Sequence, residues 1–229
     1  MTRVAIVTGG ASGMGRATVE LLERRGVAVG VFDVNGAPPV DVADVAAVDA
    51  AVARVREELG PIDIVVNAAG VGIGGTVTDS DYREMWDRAL AVNVTGAMNV
   101  VRACMPDLLA SGTGRIVNIA STEAVSAARR TGPYTVSKHA LLGFTRSLAV
   151  DHGRSGLTAN AVCPGAVLTG MTESFPVTAR EEFSRRRIPV GRYAEPHEVA
   201  HVIAMLTDVE ASYVNGATIV VDGGLTAQA

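Results

Sequence analysis

The sequence is short of several things that most soluble chains use freely. Of its 20 basic residues 19 are arginine and one is lysine, Lys138, and aromatic residues make up only 4% of the 229. Two cysteines, Cys104 and Cys163, sit in apolar or proline-flanked contexts. They read as buried free thiols and exclude a disulfide framework. Four scattered histidines, with no Cys-x-x-Cys or His-Glu-x-x-His spacing, suggest no metal site. The net charge of −4 argues against a nucleic-acid partner, and the one basic run, Arg185 to Arg187, reads as a solvated helix face. No apolar run reaches spanning length, so no membrane segment is expected. The chain enters a strand almost at once in "RVAIVTGG", which leaves no room for a secretory leader, and a cytoplasmic protein is expected.

What is abundant is small and apolar. A 48% hydrophobic content, with 25 glycines, suits helices packed on a mostly parallel sheet. Short apolar runs at 4–8, 28–32, 62–66, 116–119, 158–162 and 218–221 read as strands. Between them, 14–25, 44–59, 80–111, 133–152 and 195–207 carry helical periodicity. Such alternation with right-handed crossovers predicts one α/β domain, a doubly wound parallel sheet over residues 1–229. One interval breaks the pattern. Between Asp33 and Asp41 stand seven residues, "VNGAPPV", whereas a crossover with its helix takes at least about 10–12. The helix expected there should be missing, and the third strand a stub or lost.

Two stretches carry chemistry. "VTGGASGMGRA" places Gly9, Gly13 and Gly15 directly after a strand and at the start of a helix, where the backbone can approach a pyrophosphate. Asp33 ends the next strand, 18 residues beyond Gly15; an acid there accepts from ribose hydroxyls and repels a 2′-phosphate. Neither Ser12 nor Val34 offers that phosphate a positive charge, and Arg16 is expected on the solvated side of its helix. NAD is therefore favoured over NADP. The second stretch, "YTVSK", sets Tyr134 and Lys138 four residues apart, hence on one helix face. An ammonium close to a phenol favours its anion.

Together, Thr8-Gly9-x-x-x-Gly13-x-Gly15, Asn67-Ala68-Ala69-Gly70, Asn93, Ser121, Tyr134-x-x-x-Lys138 and Pro164-Gly165 resemble, in order and spacing, the single-domain short-chain dehydrogenase/reductases with their Rossmann-like fold. The likeness runs from Val4 to about Gly224, with "VNGAPPV" as the main departure. It implies an NAD-dependent interconversion of a secondary alcohol and a ketone, in which Tyr134 is the acid/base and Ser121 holds the same oxygen. Lys138 would lower the tyrosine pKa and bind the nicotinamide ribose, and Asn93 would position a water between Lys138 and solvent. For the cofactor it implies contacts from Ser12, Met14 and the three glycines. Further contacts would come from Asp33, Asp41 and Val42 near the adenine, from Asn67 to Gly70, and from Pro164, Gly165, Val167 and Thr169 toward the carboxamide.

Specificity is expected in 169–195, where Met171, Phe175 and Phe183 form an apolar face, and in the segment from Ser121 to Tyr134. The latter brings Glu123, Arg129 and Arg130 toward the pocket mouth. The two arginines suit an anionic substrate group, or else lie on an exposed loop or pair with acids across a subunit interface. A 3-oxoacyl-thioester reductase using NADP, an oxidiser of dihydrodiols, and a nucleotide sensor without catalysis are the competing readings. The tetramers or dimers usual in the family suggest a homo-oligomer built on the helix from Tyr134, joined by Met98 and Val101; a fully buried helix is the rival.

Overall fold

The computed structural model describes residues 2–228. Six parallel strands form one sheet: β1 (Val4–Thr8), β2 (Ala28–Phe32), β3 (Ile64–Asn67), β4 (Arg115–Ile119), β5 (Thr158–Pro164) and β6 (Thr218–Val221). Their order is β2-β1-β3-β4-β5-β6. The chain starts one strand in from an edge, winds outward to β2, returns across β1 and winds the other way. Strands β1, β3, β4 and β5 are buried along their whole length, which is why they are dominated by apolar residues with no regular polar alternation.

Helices cover both faces. On one side α2 (Val45–Glu58), α4 (Ala97–Ala110) and α5 (Gly132–His152) pack Val48, Val52, Val55, Val100, Cys104, Leu108 and Leu148 against Ile6, Val65 and Ile116. On the other, α1 (Gly13–Arg24) and α8 (Pro196–Leu206) pack Val19, Leu22, Val199, Ile203 and Leu206 against Val7, Val66 and Val117. Local signals mark the helix starts. Asp44 caps α2 by accepting from the Ala46 and Ala47 amides, and Pro133 and Pro196 stand in the first turns of α5 and α8, where no amide donor is needed.

The short interval after β2 forms neither strand nor helix. Asp33 instead turns the chain back, its carbonyl accepting from the Gly36 and Val40 amides, and α2 follows directly. β2 is thus the edge of the sheet, with Val31 37% exposed.

Two sequence expectations are altered. The pattern over 80–111 is not one regular helix: α3 (Tyr82–Leu90) passes through a π-helical turn, Ala91–Gly96, before α4 begins. Val101, expected at an outer surface, is 2% exposed and belongs to the chain's own core. A third face of α5 does remain open, with Val136 and Val150 exposed and Met98 of α4 37% exposed. In the specificity region α6 (Gly170–Glu173) and α7 (Val177–Arg187) are helical. Phe183 meets Tyr193 edge-on and Phe175 is exposed.

Candidate active site

Parallel strands all deliver their C-terminal ends to one edge, and the register aligns Thr8 with Phe32 and Asn67, Asn67 with Asn118, and Ile119 with Val162. A cleft of about 780 Å³ opens along that edge, the place where α/β sheets bind ligands. Gly9, Ser12, Gly13, Met14, Gly15, Asp33, Asp41, Val42, Ala68, Ala69, Gly70 and Thr169 all line it.

The glycine turn is shaped by close approach. Gly9 has φ +65 and Gly13 φ +52, left-handed values that a side chain resists. A Cβ on Gly9 would lie 2.8 Å from the Ala69 nitrogen, and one on Gly15 would run into the Gly9 carbonyl. The first turn of α1 is therefore pressed onto β1. Ser12 makes no side-chain cap, so the amides that open α1 have no acceptor among the described residues and face the cleft. An uncapped N-terminus of this kind suits a pyrophosphate.

Asp33 is 8% exposed, and its carboxylate accepts from the Ala11 amide at 3.0 Å and the Asn35 amide at 2.9 Å. It is thereby fixed beside the glycine loop. Arg16 pairs instead with Glu20 at 3.2 Å along α1, and Val34 is exposed and uncharged. Asp41 bonds the Ala43 amide. The Val42 carbonyl accepts from Asn99, and Gly96 leaves room for the Val42 side chain. Across the cleft the Thr8 hydroxyl accepts from the amides of Ala68 and Ala69, at 3.0 and 2.9 Å, which holds the segment after β3 over β1.

Asn67 lies beneath that segment, its amide donating to Asn118 at 2.9 Å. Pro164, Gly165 and Val167 stand behind the lining rather than in it: Gly165 bonds Val221, and Val167 is 4% exposed in a bridge with Ala194. They carry the chain to Thr169, which caps α6 and stands against Gly13. Met171 of α6 reaches over the cleft to Gly72, where its sulfur would lie 2.8 Å from an added Cβ.

At the inner end of this edge the four candidate catalytic residues converge. Lys138 is 5% exposed, donates to the Ile119 carbonyl at 2.8 Å, and sits 5.6 Å from the centre of the Tyr134 ring. Asn93, 2% exposed in the π-turn, donates to the Val71 carbonyl and to Ser137, and accepts from the Val71 amide. Ser137 donates in turn to the Tyr134 carbonyl at 2.7 Å. Gly70 touches both groups, since a Cβ there would stand 3.2 Å from Asn93 Oδ1 and 3.5 Å from Lys138 Nζ. The Ser121 hydroxyl accepts from the Glu123 amide and faces the Tyr134 phenol closely enough to favour its anion.

The electrostatics differ from the expectation drawn from the sequence. Burial lowers the Lys138 ammonium to about 8. Burial also raises the Tyr134 phenol; the Ser121 hydroxyl draws it back, while Glu123 and Cys163 push it further up. Within the protein alone, desolvation of the phenol wins and Lys138 does not make it more acidic. Arg129 and Arg130 lie on an exposed loop, one of the alternatives left open by the sequence, and Arg130 pairs there with Asp79 at 3.3 Å.

Sequence reasoning missed several lining residues, among them Val40, Val92 and Arg88. Arg88 and Val92 are four apart and share a helix face, but neither stands at a same-face spacing from Asn93, and no sequence signal points to them.

Comparison with known proteins gives the family and the fold. A family profile described as enoyl-(acyl carrier protein) reductase matches residues 9–226. The chain is 36% identical to meso-2,3-butanediol dehydrogenase of Serratia marcescens over 98% of its length and 95% of that protein's. It is 37% identical to 2-(R)-hydroxypropyl-CoM dehydrogenase of Xanthobacter autotrophicus, over 99% and 100%. Ligand-free aldohexose dehydrogenase of Thermoplasma acidophilum superposes with a TM-score of 0.94 at 31% identity, covering 100% of this chain and 95% of that one. Actinorhodin polyketide ketoreductase with NADPH gives 0.91 at 35% identity, covering 98% and 97%.

Proposed function

This chain belongs to the short-chain dehydrogenase/reductase family and is an oxidoreductase that works with a nicotinamide cofactor; we propose that the cofactor is NAD and that the reaction interconverts a secondary alcohol and a ketone with Tyr134 as acid/base. The observation that carries this reading is the meeting of two arrangements on one sheet edge. Tyr134, Ser121, Lys138 and Asn93 gather at one end, and a fixed Asp33 carboxylate with the open N-terminus of α1 stands at the other.

When bound, the nicotinamide ring accepts or supplies the hydride. The protein does the rest. The amides opening α1 hold the pyrophosphate, and Asp33 accepts from the adenosine ribose hydroxyls, where a 2′-phosphate would meet its charge at close range. Asp41, Val42 and Ala68 to Gly70 enclose the adenosine, and Thr169 and Met171 close the opposite wall. Lys138, which has two donors beyond the one it gives to Ile119, binds the nicotinamide ribose. Tyr134 gives its proton to a ketone oxygen, or takes one from an alcohol, and Ser121 donates to the same oxygen as charge develops there. Asn93 stands between Lys138 and the Val71 backbone, where it orders a water that carries the proton out. A homo-oligomer formed through the open faces of α4 and α5 is part of the same reading, resting on exposed Met98, Val136 and Val150.

A second reading, an NADPH-dependent 3-oxoacyl-thioester reductase, has support in the NADPH-bound ketoreductase among the similar structures. Two measurements separate them. NADH and NADPH are titrated by fluorescence, and the protein is screened against secondary alcohols with NAD at about pH 9, alongside Tyr134→Phe. Tight NADH binding, weak NADPH binding and turnover lost in the variant support the proposal. Tight NADPH binding moves the thioester reductase to first place.

A further inference from the structure

The segment between Ser121 and Tyr134 contains one acid, Glu123, and the chain around it is built to hold that side chain still. One carboxylate oxygen, Oε2, accepts from the Ala128 amide at 3.0 Å, the Thr131 hydroxyl at 3.0 Å and the Thr135 hydroxyl at 2.7 Å. Ala128 lies in the loop. Thr131 stands just before α5 and Thr135 in its first turn, and Thr135 follows Tyr134 directly. From the other side the Glu123 amide donates to the Ser121 hydroxyl at 3.1 Å. One carboxylate is thus tied through its own backbone to Ser121 and through its side chain to the turn that carries Tyr134.

All three donors are neutral. Among the described residues no cation pairs with Glu123, and Arg130 of the loop is taken by Asp79. Arg130 is held there with φ +62, and its carbonyl accepts from the Gly75 amide. The loop is therefore fastened at two points, to Gly75 and Asp79 on one side and to Glu123 on the other. At the second point a net negative charge remains. The groups facing the phenol are Ser121 from the end of β4, Glu123 from the loop, Cys163 from β5 and Lys138 on its own helix. Among them Glu123 is the carboxylate, and its charge opposes ionisation of the tyrosine.

We propose that Glu123 is a positioning residue: its carboxylate ties the loop 126–131 to the first turn of α5 and holds an unpaired negative charge against the catalytic end of that helix. The inference rests on the reading of Tyr134 as acid/base and adds what sets its working range. The Glu123 charge acts on the phenol in the same direction as its burial. Burial keeps Tyr134 protonated through neutral pH, ready to give its proton to a ketone, and the Glu123 charge adds to that effect, so alcohol oxidation becomes fast only in alkaline solution. Glutamine could accept the same three bonds without the charge, so the pairing of acid and tie is separable by substitution.

The test is a pH titration of the protein carrying ¹³Cζ-tyrosine, followed by NMR with and without NAD. The chain has 4 tyrosines, and the resonance missing from Tyr134→Phe identifies the one that matters. Glu123→Gln is expected to lower its midpoint by about 0.5–1 unit with the amide spectrum unchanged. Glu123→Ala is expected to lower it as well and to remove hydrogen-exchange protection from the Ala128 amide. An unchanged or raised midpoint in Glu123→Gln would overturn the charge role, and retained protection of Ala128 in Glu123→Ala would overturn the tie. The reading of Tyr134 fails separately: Tyr134→Phe would then keep its turnover of alcohols with NAD, whatever Glu123→Gln does to the midpoint.

Discussion

The two edges of the sheet hold one buried cation each, and they treat it differently. At the N-terminal edge Arg115 is 1% exposed, and its guanidinium donates to the carbonyls of Gly114, Gly156, Asp208 and Val209. At the C-terminal edge Lys138 is 5% exposed and gives one hydrogen bond, to Ile119. The first cation is a staple: a planar fork with many donors matches several chain ends at once. The second is kept short of partners, and burial depresses it accordingly. Within the C-terminal edge the helix starts differ as well, since α2 is capped by Asp44 whereas α1 opens uncapped onto the cleft. Groups left unsatisfied at one edge are those a ligand would satisfy.

The contrast can be broken or sharpened by substitution. The largest effect is expected at Tyr134: Tyr134→Phe should reduce turnover by about 10²–10⁴, measured as NADH formation, with the thermal midpoint little changed. Next is Arg115→Met, which takes a donor from four carbonyls, of which Gly114 and Asp208 keep the amides of Thr158 and Ala211, and which should cost about 3 kcal/mol in a denaturant titration, while cofactor binding by the folded protein persists. Lys138→Met should do the reverse. Its wild-type ammonium falls from 10.5 to about 8 on burial, so between those values the unfolded chain binds more protons than the folded one. Wild-type stability therefore rises from about pH 8 to 10.5. The variant should be inactive yet more stable at pH 7, by up to about 3 kcal/mol, with the gap closing as the pH rises through that window. Thermal melts across pH 7–10.5 would show it. The smallest effect is Asp33→Ser, which should move the ratio of NADPH to NADH affinity by about tenfold toward NADPH.

How far the sequence foretold this structure follows from the range of each signal. Strand β1 is legible because five buried residues in a row have no polar alternation to hide them, and the missing third strand because seven residues are too few for a crossover. The glycine loop, Asp33 and the Tyr134–Lys138 pair are legible because their geometry is set by neighbours in sequence. The π-turn at Ala91–Gly96 is not, since one slipped hydrogen-bond register leaves no periodic mark. Val101 read as surface because helix periodicity cannot say which of two apolar faces meets the sheet. The pairing of Arg130 with Asp79 joins residues 51 apart, and the raised phenol of Tyr134 depends on burial that only the folded chain supplies.

The measurement that tests the account most directly is the fluorescence titration of NADH against NADPH on the unmodified protein. Tight NADH binding with NADPH weaker by tenfold or more is predicted from the fixed carboxylate of Asp33 and from the absence of a cation at Ser12 and Val34. NADPH binding as tight as NADH, or tighter, would contradict it.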